Sequence, residues 1–162
     1  MLYVTSSTGV GAGVIISGRL LHGRLSLAEA GHTIIDWATG GTLEGLGSGT
    51  ALAQAAGEDA AAVAARAASG DLAAAEHFAS TAEAFAVGVY NLVHCYSPEV
   101  VVIGGGMSQA GELLLGPVRD QLGRCEHDCA ASKAKVVKAQ GDDDVGLRGA
   151  YAYWMDCSSP ST

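Results

Sequence analysis

The 162 residues are 49% hydrophobic and 16% charged, enough for one domain with a real core, and they exclude a disordered chain. Nine basic residues against 17 acidic ones give a net charge of −8, which argues against nucleic acid or an anionic membrane as a partner. There is no apolar run of about 18 residues and no secretory leader pattern, so the expectation is a soluble, cytoplasmic protein.

Leu2–Ser6 and Gly13–Ser17 read as strands around the loop "STGVGAG". Gly18 reads as a turn and "RLLHG" as a third short strand, which makes an antiparallel meander. The stretch from Leu25 to Gly41 is mixed, with a short strand at "HTIID". From Thr42 the pattern turns helical, with Leu43, Leu46, Thr50 and Ala53 on one face. "DAAAVAARAAS" is a helix by alanine propensity, closed by Gly70. "DLAAAEHFASTAEAFAVGVYNLVHCY" is one long helix, capped by Asp71 and ended by Pro98. "EVVVIGGG" is a short apolar strand of the kind buried on both faces. Ser108 is the expected cap of a helix running to about Arg124, "AKVVKA" is a strand, and "DDVGLRGAYAYWM" is a last helix with acidic residues in its first turn. The order βββ, helices, β, α, β, α predicts an α/β domain over residues 1–155, with a disordered tail over 156–162.

The four cysteines, Cys95, Cys125, Cys129 and Cys157, are scattered and do not form a disulfide framework. "CEHDC" (Cys125, His127, Cys129) reads as a helix end with incidental thiols, because zinc takes four ligands in paired spacings and no second pair follows.

The glycine loop is the first candidate site. Glycines bring backbone N–H groups close to a ligand, and the Ser7 and Thr8 hydroxyls add donors for phosphate oxygens. It lacks the GK[ST] of a Walker loop, and a strand follows where a Rossmann fingerprint needs a helix. A tight hairpin that binds nothing is the alternative reading.

Five segments in order change that balance: "STGVGAGVIISGRLLHG", "AEAGH", "TLEGLGSGTALA", "SPEVVVIGGGMSQAG" and "DDVGLRGAY". Together they resemble the ROK family of bacterial glucokinases, other hexose and N-acetylhexosamine kinases, and sugar-responsive repressors. The resemblance covers nearly the whole chain. It implies the actin-like ATPase (ribonuclease H-like) fold, here its second domain, with a mixed sheet that begins with the three-strand meander and helices on both faces. It implies that Thr8, Gly9 and Gly11 belong to a phosphate loop and that Gly104, Gly105 and Gly106 lie against adenosine. It further implies sugar hydroxyls on Glu29, His32 and Glu44, with ATP and Mg²⁺ as the substrate complex. Charge-assisted hydrogen bonds suit sugar recognition. The alternatives are solvated loop carboxylates for Glu29 and Glu44, and a packed or capping histidine for His32.

Two departures from the family pattern stand out. The family's structural zinc uses the E-x-G-H histidine and three following cysteines. Here "TIIDWATGG" holds no cysteine and Thr42 stands where the last one belongs, so no zinc is expected and Trp37 is the candidate for ordering the loop by packing. The family's first domain carries a D-x-G-x-T loop and an N-D-x-N segment whose aspartate is the catalytic base. Neither is present, so no catalytic residue is assigned, and the chain alone is expected to be inactive. The resemblance implies a sugar kinase half or, alternatively, the sugar-sensing domain of a regulator. It implies sugar and nucleotide as ligands and a homo-oligomer (dimer), while the acidic charge argues against direct nucleic-acid or membrane binding.

Overall fold

A computed structural model describes residues 1–24, 29–125, 133–141 and 145–158, with residues 156–158 described by their backbone alone. Strands β1 (Leu2–Ser6), β2 (Val10–Ile16) and β3 (Arg19–Leu20) form the antiparallel meander. Ser17 (φ 52°) and Gly18 (φ 79°) make the tight turn between β2 and β3. β6 (Val100–Gly104) and β7 (Lys135–Lys138) then add in parallel beside β1, giving one mixed sheet in the order β3-β2-β1-β6-β7. β4 (Ile34–Asp36) and β5 (Gly41–Thr42) form a separate two-stranded ribbon.

The expected helix after Thr42 is two helices, α1 (Leu43–Gly47) and α2 (Gly49–Ala56). The break has a local cause. Thr42 caps α1 by accepting from Gly45 N, and Ser48 leaves helical geometry to cap α2 by accepting from Ala51 N. α3 (Ala60–Ala68) is capped by Asp59, and α4 (Leu72–Tyr96) by Asp71, the cap expected from the sequence. α4 ends where Ser97 turns left-handed (φ 44°) ahead of Pro98. Its buried residues, among them Phe78, Ala82, Phe85, Val89 and Val93, recur at helical spacing and face Leu2 and Val4 of β1 and Val101 and Ile103 of β6 in a continuous core.

Three local expectations are corrected. β6 is less enclosed than its apolar run implied, since Val100 and Val102 are only half-buried. Ser108 does not cap a helix. It sits inside a 3-10 turn over Gly106–Ala110 and donates its hydroxyl to Gly105 O at 2.7 Å, while α5 (Glu112–Gly123) starts after Gly111 without a side-chain cap. The last helix, α6 (Val145–Ser158), continues past residue 156, so the predicted tail begins too early. Asp142–Asp144, the acidic residues expected in the first turn, lie outside the described residues, as do His127 and Cys129 of "CEHDC". Cys125 is disulfide-bonded, which departs from the expectation for the cysteines, and Cys95 is an exposed free thiol.

Candidate functional site

The loop between β1 and β2 is short: Ser7 N donates to Gly9 O at 2.9 Å, and Ser7 and Thr8 are exposed. It is held from behind by the α1–α2 segment. Ser6 Oγ donates to Gly47 O (3.0 Å), Gly49 N to Ser7 O (2.7 Å), Thr50 Oγ1 to Thr8 O (2.6 Å), and Val10 N to Glu44 Oε2 (2.9 Å). Beside the loop opens a cavity of about 330 Å³. Ala53, Ala60, Ala61 and Ala64 from α2 and α3 line it together with Met107, Asp59 and the hydroxyl-bearing Ser7, Thr8 and Thr50. Small residues leave room for a planar ring, and hydroxyls and loop amides suit phosphate oxygens.

The residues singled out from the sequence fall into distinct places. Thr8 lines the cavity. Gly9 lies behind it, where a Cβ would stand 2.3 Å from Glu44 Oε2. Gly11 is not in the loop but in the ladder of β2, opposite Thr5. Of the three later glycines, Gly106 alone lines this cavity. Gly105 takes φ 83° against Ser6 O, a position open only to glycine, and Gly104 lies under the Tyr3 ring. All three border a wider cavity of about 1080 Å³ on the Tyr3 side of the sheet, roofed by Val145, Gly146 and Gly149 of α6.

Glu29 and His32 are exposed at the two ends of a 3-10 turn, Ala30–His32, whose closing bond runs from His32 N to Glu29 O (3.2 Å). Gly31 in that turn packs onto β2, where a Cβ would come within 2.3 Å of Val10 O and 3.3 Å of Glu44 Cβ. The turn, Glu44 and the end of the Ser7–Gly9 loop therefore meet around Val10. Sequence reasoning missed Thr50, Met107 and the alanine wall. Thr50 lay within the "TLEGLGSGTALA" segment, whose glycine-serine break was the available signal.

The loop after His32 is ordered locally. Asp36 accepts from Ala38 N (3.0 Å) and Thr39 Oγ1 (2.5 Å), and these bonds hold its carboxyl below the usual range. Trp37 is 92% exposed and packs nothing, which corrects the role expected of it. The donor set does not fit zinc: His32 is followed by no cysteine before Leu43, and no cluster of three potential ligands occurs among the described residues.

Sheet order, meander and flanking helices define an actin-like ATPase fold of the sugar kinase type. The chain belongs to the ROK family, whose model matches residues 1–157. It is 31% identical to the glucokinase of Thermotoga maritima, over 91% of this chain and 55% of that protein. To the N-acetylmannosamine kinase of Citrobacter koseri it is 34% identical, over 93% of this chain and 55% of that one. Among solved structures it is similar to a ROK family glucokinase from Streptomyces griseus in complex with glucose and AMPPNP. That match has a TM-score of 0.82 and 28% identity, and covers 94% of this chain and 59% of the glucokinase. The chain thus spans a little over half the length of these kinases. No helix among the described residues is long and apolar enough to cross a membrane.

Proposed function

We propose that this chain is the nucleotide-binding half of an ATP-dependent hexose kinase that transfers the γ-phosphoryl group to a hydroxyl of glucose or a similar sugar. The observation that carries this is the Ser7–Gly9 loop, clamped by Gly49 and Thr50 beside a cavity lined by four alanines. Phosphoryl transfer depends mainly on positioning and on neutralising phosphate charge. A rigid loop of amides and hydroxyls beside an apolar slot supplies the positioning for a nucleoside triphosphate, which brings Mg²⁺ with it as part of the substrate. Glu29, His32 and Glu44 serve the sugar. The catalytic base belongs to the family's other lobe, so these residues alone bind ligands and do not turn them over. The reading puts the protein in the cytoplasm, as a homodimer that binds sugar and nucleotide and contacts neither nucleic acid nor membrane.

Calorimetric titration of the chain with Mg-AMPPNP tests it, together with a coupled assay for ATP consumption in the presence of glucose. Saturable AMPPNP binding, displaced by ATP, with no glucose-dependent turnover is expected. Absence of binding at millimolar AMPPNP refutes the nucleotide reading, and glucose-dependent turnover by the chain alone refutes the assignment of the base elsewhere.

A further inference from the structure

We propose that Glu44 is a positioning residue for the phosphate loop, acting through the Val10 amide, in addition to any sugar contact. The proposal rests on reading the Ser7–Gly9 loop as a nucleotide-phosphate site. Glu44 Oε2 accepts from Val10 N at 2.9 Å across a separation of 34 residues. The approach is tight: the side chain fills the place of a Cβ on Gly9, 2.3 Å from Oε2 and 3.0 Å from the carboxyl carbon. The opposite side of the same residue is closed by Gly31, whose missing Cβ admits Val10 O. Val10 is thus gripped on its N–H by Glu44 and on its carbonyl by the turn that carries Glu29 and His32.

What this role requires is an acceptor at Val10 N, and the charge strengthens it modestly. A carboxylate is a stronger acceptor for an amide than a neutral group, and it fixes the orientation of the Gly9–Val10 peptide. That peptide lies one residue beyond Thr8, which lines the cavity. The second Glu44 oxygen accepts no hydrogen bond among the described residues, and Glu44 Cβ lies beside Gly31 of the turn that carries Glu29 and His32.

The test uses the whole ¹⁵N-labelled chain with Glu44→Ala, Glu44→Gln, Gly9→Ala and the double variant Gly9→Ala/Glu44→Ala. Two readouts are followed: exchange of the Val10 amide with solvent deuterium, and affinity for Mg-AMPPNP. Glu44→Ala is expected to speed Val10 exchange at least tenfold and weaken AMPPNP about tenfold, with the remaining amide spectrum unchanged. Glu44→Gln keeps an acceptor and stays within about threefold of the native chain in both. Gly9→Ala, which displaces the carboxylate instead of removing it, is expected to copy Glu44→Ala and to add nothing in the double variant. If Val10 exchange is unchanged in Glu44→Ala, or if Gly9→Ala and Glu44→Ala act independently, the proposal is overturned. If the Val10 effects appear while AMPPNP binds no variant and not the native chain, the loop-positioning contact stands and the nucleotide reading fails.

Discussion

Replacing Gly49 by alanine separates the stability of this chain from the geometry of its loop. Gly49 is the first residue of α2, is buried, and donates its N–H to Ser7 O at 2.7 Å. A Cβ there would stand 2.8 Å from that same oxygen, so Ser7 O must retreat to about 3.4 Å for ordinary contact. The retreat stretches the hydrogen bond and carries the Ser7–Thr8 peptide with it. A lost backbone bond costs about 0.5–1.5 kcal/mol. Alanine in place of glycine in a helix returns about 0.8–1.0 kcal/mol, so the two nearly cancel. The net change in unfolding free energy is then expected within about 1 kcal/mol of zero. The loop has no such compensation. Shifts of about 1 Å at a positioning group cost about a hundredfold, and a displacement of about half that size should weaken Mg-AMPPNP about tenfold. Urea unfolding gives the first quantity and calorimetry the second. Affinity within twofold of the native chain would show that the clamp at Ser7 does not set the phosphate site. A loss of more than about 3 kcal/mol in stability would show that the close approach supports the fold and not the loop.

Two further outcomes follow from the packing and the charges. Leu43 is fully buried with Gly88 of α4 against it, where a Cβ would lie within 2.8 Å of three Leu43 carbons. Leu43→Ala is expected to cost about 2–5 kcal/mol and Gly88→Ala about 1–3 kcal/mol. The double variant should cost at least 0.5 kcal/mol less than the sum, roughly the coupling of touching residues, and strict additivity in urea unfolding would refute the contact. Asp71 accepts from Ala74 N at the start of α4 and pairs with Arg66, which together hold its carboxyl below 3.8 in the folded chain. A depressed carboxyl stabilises the fold above its unfolded pKa and loses that contribution as pH falls through its folded value. Stability of the native chain should therefore fall more steeply below about pH 4 than that of Asp71→Asn. Parallel acid profiles in urea unfolding at fixed pH would contradict it.

Periodicity carried most of the fold. The meander follows from two apolar strands about a glycine loop, and α4 from a face that repeats over 25 residues. What it could not carry were elements decided by one polar atom. Leu43, Leu46, Thr50 and Ala53 share a helical face, so the pattern gives one helix. The hydroxyl of Ser48 instead caps a second helix and makes two. Trp37 has the composition of a core residue, yet the Asp36 carboxylate ties its loop locally and leaves the ring in solvent. Gly11 has the composition of a loop residue, but the ladder with Thr5 claims it. The candidate site residues came from a family pattern, and only some of them meet in the structure. Nothing in the spacing of Glu44 and Val10 shows that they touch.

The break in the helix also accounts for the loop's unfamiliar sequence. A Walker loop orders its own amides by wrapping them at the start of the helix that follows. Here a strand follows, so the order must come from elsewhere. The segment Glu44–Thr50 provides it at four points, with Glu44 on Val10, Gly47 on Ser6, Gly49 on Ser7 and Thr50 on Thr8. An unbroken helix would turn Gly47 O and Gly49 N into its own ladder and take these partners from Ser6 Oγ and Ser7 O. Ser48, by ending one helix and starting another, frees both groups for the loop. The chemistry assigned to "STG" therefore resides as much in "EGLGSGT", and a loop with neither lysine nor its own helix keeps a fixed shape because a second segment holds it.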